Sequence, residues 1–265
     1  NRTRVQDYER VIGDDTAVLA KIHRSNFYME GFTEEASLPE LADLARRAGL
    51  VTLYDAGSGV VRLPETLDDV QEMSLGRALE QGADLVTASG DKMLGGPQAG
   101  IIAGRRDVVE ILRRHPMTRA LRPCKLTLGI LSHVLSLYRD GRPEDVPTFA
   151  LLAQSPADLR NRARKLARRI RALDGGAGTV ISVRTEMSRV GGGALPRTQM
   201  ETWVVALANE RMRADEMEQI LRGAEIPVIA RIVDDELVLD MRTLRDDEMD
   251  LVCEAVAPLF ERLGS

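Results

Sequence analysis

From Ala17 to Arg113, short apolar runs alternate with amphipathic stretches, a pattern that predicts strand–helix–strand units. "AVLAKIH" reads as a strand. "SLPELADLARRAG" reads as a helix, opened by a capping box of Ser37 and Glu40 and stopped at Gly49. "LVTLYDAG" is the next strand, "SLGRALEQG" a weak helix and "ADLVTASG" a third strand. "AGIIAG" is a fourth strand and "RDVVEILRRH" a helix. Such an order predicts a parallel α/β sheet covered on both faces, with ligands at the carboxyl ends of its strands.

Past Pro123 the periodicity lengthens. "KLTLGILSHVLSLYRDG" and "SPADLRNRARKLARRIRAL" read as long helices separated by a proline-bearing stretch. "GTVISVRTE" and "METWVVALAN" follow as strands, then "RADEMEQILRGA" as a helix. A hairpin turning at Asp234-Asp235 and a last helix through "DEMDLVCEAVAPLFERLG" complete a smaller α+β domain. The expected division is residues 1–140 for the sheet domain and 141–265 for linker helices and the small domain.

Composition narrows the class. At 44% hydrophobic and 29% charged residues the chain reads as globular rather than disordered. No apolar run is long enough for a membrane span, and "NRTRVQDYER" lacks the apolar core of a secretory signal. That opening instead reads like the middle of a longer protein, so a fragment is expected. Cys124 and Cys253 show no metal-site or disulfide spacing and read as reduced thiols of a cytoplasmic protein; no metal is expected. A net charge of −5 argues against a surface that coats nucleic acid. The basic run Arg160–Arg171 therefore reads first as a solvated helix face, with an RNA or partner contact as the alternative.

The candidate chemistry lies where strands end. Asn26, Asp55 and Lys92 fall at or just past the ends of three successive predicted strands, hence on one rim of the sheet. Taken singly, Lys92 is a strand-end surface cation and Asp55 a turn former. An amide, a carboxylate and a lysine on one rim suit pyridoxal phosphate. The lysine bonds the cofactor covalently, the acid pairs with the pyridinium nitrogen, and the amide reaches the phenolic oxygen.

The motifs "HRSNF", "LYDAGSG", "SGDKMLGGPQAGII", "HPMTRALRPCKLTL" and "VGGGALP" occur in an order that resembles the bacterial selenocysteine synthase family, the L-seryl-tRNA(Sec) selenium transferases. The resemblance covers essentially the whole chain. It implies a type I (aspartate-aminotransferase-like) pyridoxal phosphate fold: part of the large domain, followed by the small C-terminal α+β domain. It also implies that Lys92 is the Schiff-base lysine, Asp55 the pyridinium partner and Asn26 the ring-oxygen contact, with His23 and Ser25 flanking the cofactor. Arg119 and Arg122 match arginines facing the anionic selenium donor, on one face if their segment is helical. Gly191–Gly193 reads either as a loop near the active site or as a structural turn. The roles of Asp91 and Arg231 stay open.

The chemistry so implied is β-elimination of the serine hydroxyl from seryl-tRNA(Sec), giving a dehydroalanyl-tRNA, then addition of selenium from selenophosphate. Lys92 moves the proton. The family assembles as homodimers or rings of dimers. Its N-terminal tRNA-binding domain and an early cofactor-holding region have no counterpart in this sequence, so this chain alone is expected to be weak or inactive. Two alternatives remain: a related lyase acting on a small amino compound without tRNA, and a catalytically incomplete scaffold.

Overall fold

The computed structural model describes every residue except Asn26, Asp68, Asp69, Gln71, Ala177, Gly192 and Ser265. The chain divides into two compact units, Asn1–Ala153 with Val190–Thr198, and Gln154–Arg189 with Gln199–Ser265. The division thus falls after Ala153 rather than after residue 140. Packing explains the shift, because the two helices that follow Pro123 bury their apolar residues against the first unit's own loop at Leu94.

The first unit opens with β1 (Arg2–Thr3), α1 (Val5–Glu9), β2 (Val18–Ile22), β3 (Glu34–Glu35), α2 (Leu38–Ala48) and β4 (Val51–Gly57). It continues with α3 (Leu75–Glu80), β5 (Leu85–Ser89), β6 (Gly100–Gly104), α4 (Arg106–Arg114), α5 (Met117–Ala120), α6 (Lys125–Arg139) and α7 (Pro147–Ala153). Helix α2 starts where the capping box predicts: the Ser37 amide donates to Glu40 Oε2 at 2.8 Å, and Gly49 caps the other end. The main sheet has the order β2-β4-β5-β6.

Two expectations about this sheet need correction. First, β2, β4 and β5 are parallel, but β6 runs antiparallel to β5. The link between them holds no helix, and a parallel crossover needs a dozen or more residues. Second, the described helices α1, α2 and α3 cover one face. Leu19, Tyr54, Ala56 and Val86 are buried there against Leu38, Leu44 and Ala78. Both crossovers add a strand in the same direction, and right-handed crossovers then leave their helices on the same side. On the opposite face Val18, Ile22 and Ile102 stay exposed.

The second unit contains α8 (Pro156–Arg171), β7 (Thr179–Arg189), β8 (Gln199–Asn209), α9 (Ala214–Arg222), β9 (Arg231–Val233), β10 (Glu236–Asp240) and α10 (Met249–Gly264). Its strands form an antiparallel sheet of order β7-β8-β10-β9. Leu159, Leu166 and Ile170 of α8 join Met217, Leu221, Val256 and Phe260 in one buried core. Asp234 and Asp235 both adopt positive φ, 50° and 61°, as a two-residue hairpin turn of the primed type requires.

Candidate functional site

The site is built on strand register. Ile22 of β2, Asp55 of β4, Thr87 of β5 and Ile102 of β6 stand opposite one another in successive strands, so their side chains share the open face. Asp55 lies inside β4 rather than past its end, just before an irregularity in the pairing with β5. Thr87 donates its hydroxyl to Asp55 Oδ1 at 2.8 Å. Among the described residues nothing else bonds the Asp55 carboxylate, so Oδ2 is free to accept a further donor.

The chain leaving β2 is tied to the same place. The His23 amide donates to the Asp55 carbonyl at 2.9 Å, and the Ser25 amide to the His23 carbonyl at 3.1 Å. Ser25 Oγ lies close to Gly57, where an added Cβ would sit 3.2 Å from it. Asn26 lies outside the described residues, so the third member of the expected trio has no structural account here. The imidazole of His23 is partly buried. Its Nε2 lies 3.1 Å from Glu72 Oε2, though not in hydrogen-bond alignment, so the contact is an ion pair only when the ring is protonated.

Glu72 itself is almost fully buried, its side chain 6% exposed, and accepts a hydrogen bond from Ser58 Oγ at 2.6 Å. Beneath them the Tyr54 ring lies 6.5 Å from that of His23. Burial pushes the Tyr54 phenol up, and the negative charges of Glu72, Glu35 and Asp55 add to the rise, so it stays protonated. Thr87, Glu72 and Ser58 were missed by sequence reasoning. Counting residues across a parallel β4/β5 pair would have found Thr87. Glu72 precedes α3 in an irregular stretch that carries no periodic signal.

Lys92 sits on the turn between β5 and β6, half-buried. The turn is fixed by main-chain bonds from Gly90 to Ala99 (2.8 Å), Gly95 to Lys92 (3.0 Å) and Gly96 to Gly90 (2.8 Å). The Met93 amide donates to Ser58 O at 2.9 Å, joining the lysine turn to the loop that follows Asp55. That approach requires a glycine. Gly59 has φ +75°, and a Cβ there would collide with the Ser89 carbonyl. Leu94 is fully buried among Val134, Leu137, Val146 and Phe149, and Tyr138 Oη donates to its carbonyl at 3.2 Å. Among the described residues no hydrogen bond or ion pair engages the Lys92 ammonium group.

The other candidates are placed differently. Helix α5 ends at Ala120, so Arg119 is helical and Arg122 is not; the expected common helical face is absent and both side chains are exposed. Gly191 and Gly193 have positive φ, and Gly192 lies outside the described residues. Their segment packs in the first unit: Arg197 donates to Met29 O at 2.9 Å and stacks over the Tyr28 ring at 5.0 Å, close in sequence to Ser25. Arg231 is bound to Asp240 at 3.0 Å. Asp91 is exposed. Among the described residues no cluster of His, Cys, Asp or Glu is placed to hold a metal, and no helix is long and apolar enough to cross a membrane.

Three parallel strands closed by an antiparallel fourth, followed by a small α+β unit, form the type I, aspartate-aminotransferase-like fold. A solved D-glucosaminate-6-phosphate ammonia-lyase shares the fold, with a TM-score of 0.59 at 20% identity over 98% of this chain and 62% of that one. The chain belongs to the L-seryl-tRNA selenium transferase (SelA) family, whose family model matches residues 1–245. It is 41% identical over 261 residues to the L-seryl-tRNA(Sec) selenium transferase of Aquifex aeolicus (strain VF5), covering 98% of this chain and 57% of that relative. The enzyme of the same name from Moorella thermoacetica is also 41% identical, over 263 residues, with 98% and 56% covered. The chain therefore spans a little over half the length of these relatives.

Proposed function

We propose that the protein takes part in the pyridoxal phosphate-dependent conversion of seryl-tRNA(Sec) to selenocysteinyl-tRNA(Sec), with selenophosphate as selenium donor. The observation that carries this reading is the Asp55–Thr87 pair on the sheet rim shared with the Lys92 turn, in a chain whose family match runs from residue 1 to 245. The residues suit the cofactor. Asp55 keeps one carboxylate oxygen for a pyridinium N–H. When bound, pyridoxal phosphate supplies an electron sink for charge developing on the substrate α-carbon.

The rest is the work of the chain. Lys92 Nζ holds the cofactor covalently, then takes and returns the substrate's α-proton. Thr87 fixes the Asp55 carboxylate, and Glu72, held by Ser58, stands beside the His23 imidazole. His23, Ser25 and Asn26 line the cofactor, and Arg119 and Arg122 receive the donor anion. A cytoplasmic location fits work on an aminoacyl-tRNA. The exposed apolar residues Ile111, Leu121 and Leu126 support self-association into a homodimer or ring of dimers.

Adding pyridoxal phosphate is expected to produce a visible absorbance band that is lost in Lys92→Ala and kept in Lys125→Ala. A band unaffected by Lys92→Ala overturns the lysine assignment. Turnover of a free amino compound with none of seryl-tRNA overturns the tRNA substrate.

A further inference from the structure

Helix α8 carries more cations than its own packing uses. Leu159, Ala163, Leu166, Ala167 and Ile170 form its buried face. On one flank the cations are neutralised: Arg162 and Lys165 both reach Asp246, at 2.6 and 3.4 Å, and Arg169 reaches Asp250 at 2.5 Å. On the other flank stand Arg160, Arg164 and Arg168, all exposed. Among the described residues none of the three has an acidic partner; Arg160 instead lies over the Trp203 ring of β8, 5.1 Å from its centroid.

The spacing of these three is regular. Successive members are four residues apart and rise about 6 Å along the helix axis, with a common outward direction. Like charges at i,i+4 repel, so two such pairs in one row oppose the helix that bears them. Ion pairing accounts for the paired flank, and on this one only Arg160 has a structural partner, the Trp203 ring. Guanidinium groups recognise phosphate oxygens in fork geometry, and a row of them matches the repeated charge of a sugar–phosphate backbone better than the irregular carboxylates of an acidic protein. The chain's net charge of −5 leaves attraction of a polyanion to such local features.

We infer that the Arg160–Arg164–Arg168 row is a contact surface for the phosphate backbone of a structured RNA. This inference rests on the reading that the protein acts on an aminoacyl-tRNA, and it names a place on the second unit where that partner is held. The contacts are to backbone and carry no base preference.

The test is fluorescence anisotropy with a fluorescein-labelled tRNA(Sec) transcript, titrated at several salt concentrations. The triple variant Arg160→Gln/Arg164→Gln/Arg168→Gln is expected to bind about tenfold more weakly near 0.1 M salt, with a log–log salt slope shallower by about 2. The control Arg46→Gln/Arg47→Gln/Arg77→Gln removes equal charge from the first unit and should match the parent chain. Equal affinity and slope in the triple variant overturn the inference. So does equal loss in the control, or competition by poly-glutamate as effective as that by unlabelled tRNA. Circular dichroism and the Lys92-dependent absorbance band, read on the same preparations, separate this result from the enzymatic reading. Row-dependent RNA binding without the band refutes the enzyme and keeps the surface; the band without row-dependent binding does the reverse.

Discussion

Thr87 holds Asp55 across the β4/β5 pairing, hydroxyl to carboxylate, at 2.8 Å. The two residues are direct register partners, so the contact follows from strand alignment and needs no loop to form. Thr87→Val keeps the β-branched shape and removes the donor. A hydrogen bond to a charged group is worth about 1.5–3 kcal/mol. The variant should fold normally and bind pyridoxal phosphate at least tenfold more weakly in an absorbance titration. Unchanged affinity would show that Asp55 needs no such support.

Leu94 anchors the lysine turn in the α6–α7 core, with no exposed surface. Leu94→Ala should cost about 2–5 kcal/mol, as other buried leucine truncations do. The check is urea unfolding followed by a probe in the first unit. Leu94→Met, which conserves volume, should lose less than about 1.5 kcal/mol.

Glu35 gives a pH signature. Burial raises its carboxyl, but the hydrogen bond and charge of Lys21 and the charge of Arg24 outweigh this and hold it below its ordinary 4.5. A depressed carboxylate contributes stability that is present above its unfolded value and lost as pH falls through the folded one. The side chain is 58% exposed, which limits the contribution to about 0.5 kcal/mol. Glu35→Gln should therefore melt slightly lower than the parent at pH 7, and the two should converge once pH has fallen below the depressed folded value. A gap that widens in acid would reverse the sign of this account.

The cysteines should react in order. Cys124 is exposed at the start of α6, and hydrogen bonds from Thr127 and nearby amides lower its thiol. Burial raises that of Cys253. Alkylation near pH 7.5, followed by peptide mass mapping, should label Cys124 well before Cys253. Equal rates would contradict the assigned environments.

Much of this was legible in the sequence because local rules acted alone. The Ser37–Glu40 box and the Asp234-Asp235 turn each depend on a few consecutive residues, and each formed where expected. The direction of β6 depended on a connection length that a run of apolar residues does not reveal. The open face around Asp55 depended on which side two crossovers place their helices. Arg119 and Arg122 missed a shared face because the helix beneath them ends between the two. Lys92 and Asp55 stood out as polar residues near predicted strand ends, although Asp55 lies inside β4, whereas Glu72 and Ser58 meet only after the loop beyond β4 closes on the stretch before α3.

The hairpin between β5 and β6 has a consequence for ligand affinity. Binding generally costs the entropy of whatever must be ordered in the act. Here the backbone around Lys92 is already closed at both ends by ladder bonds and within by the Gly90, Gly95 and Gly96 contacts. Folding has ordered that loop before any ligand arrives. A ligand bonded to Lys92, as proposed above, would still have to arrest the lysine's own side chain, at most about 2 kcal/mol of rotamer freedom. The turn is thus a preorganised mount, and selectivity is left to the groups around it.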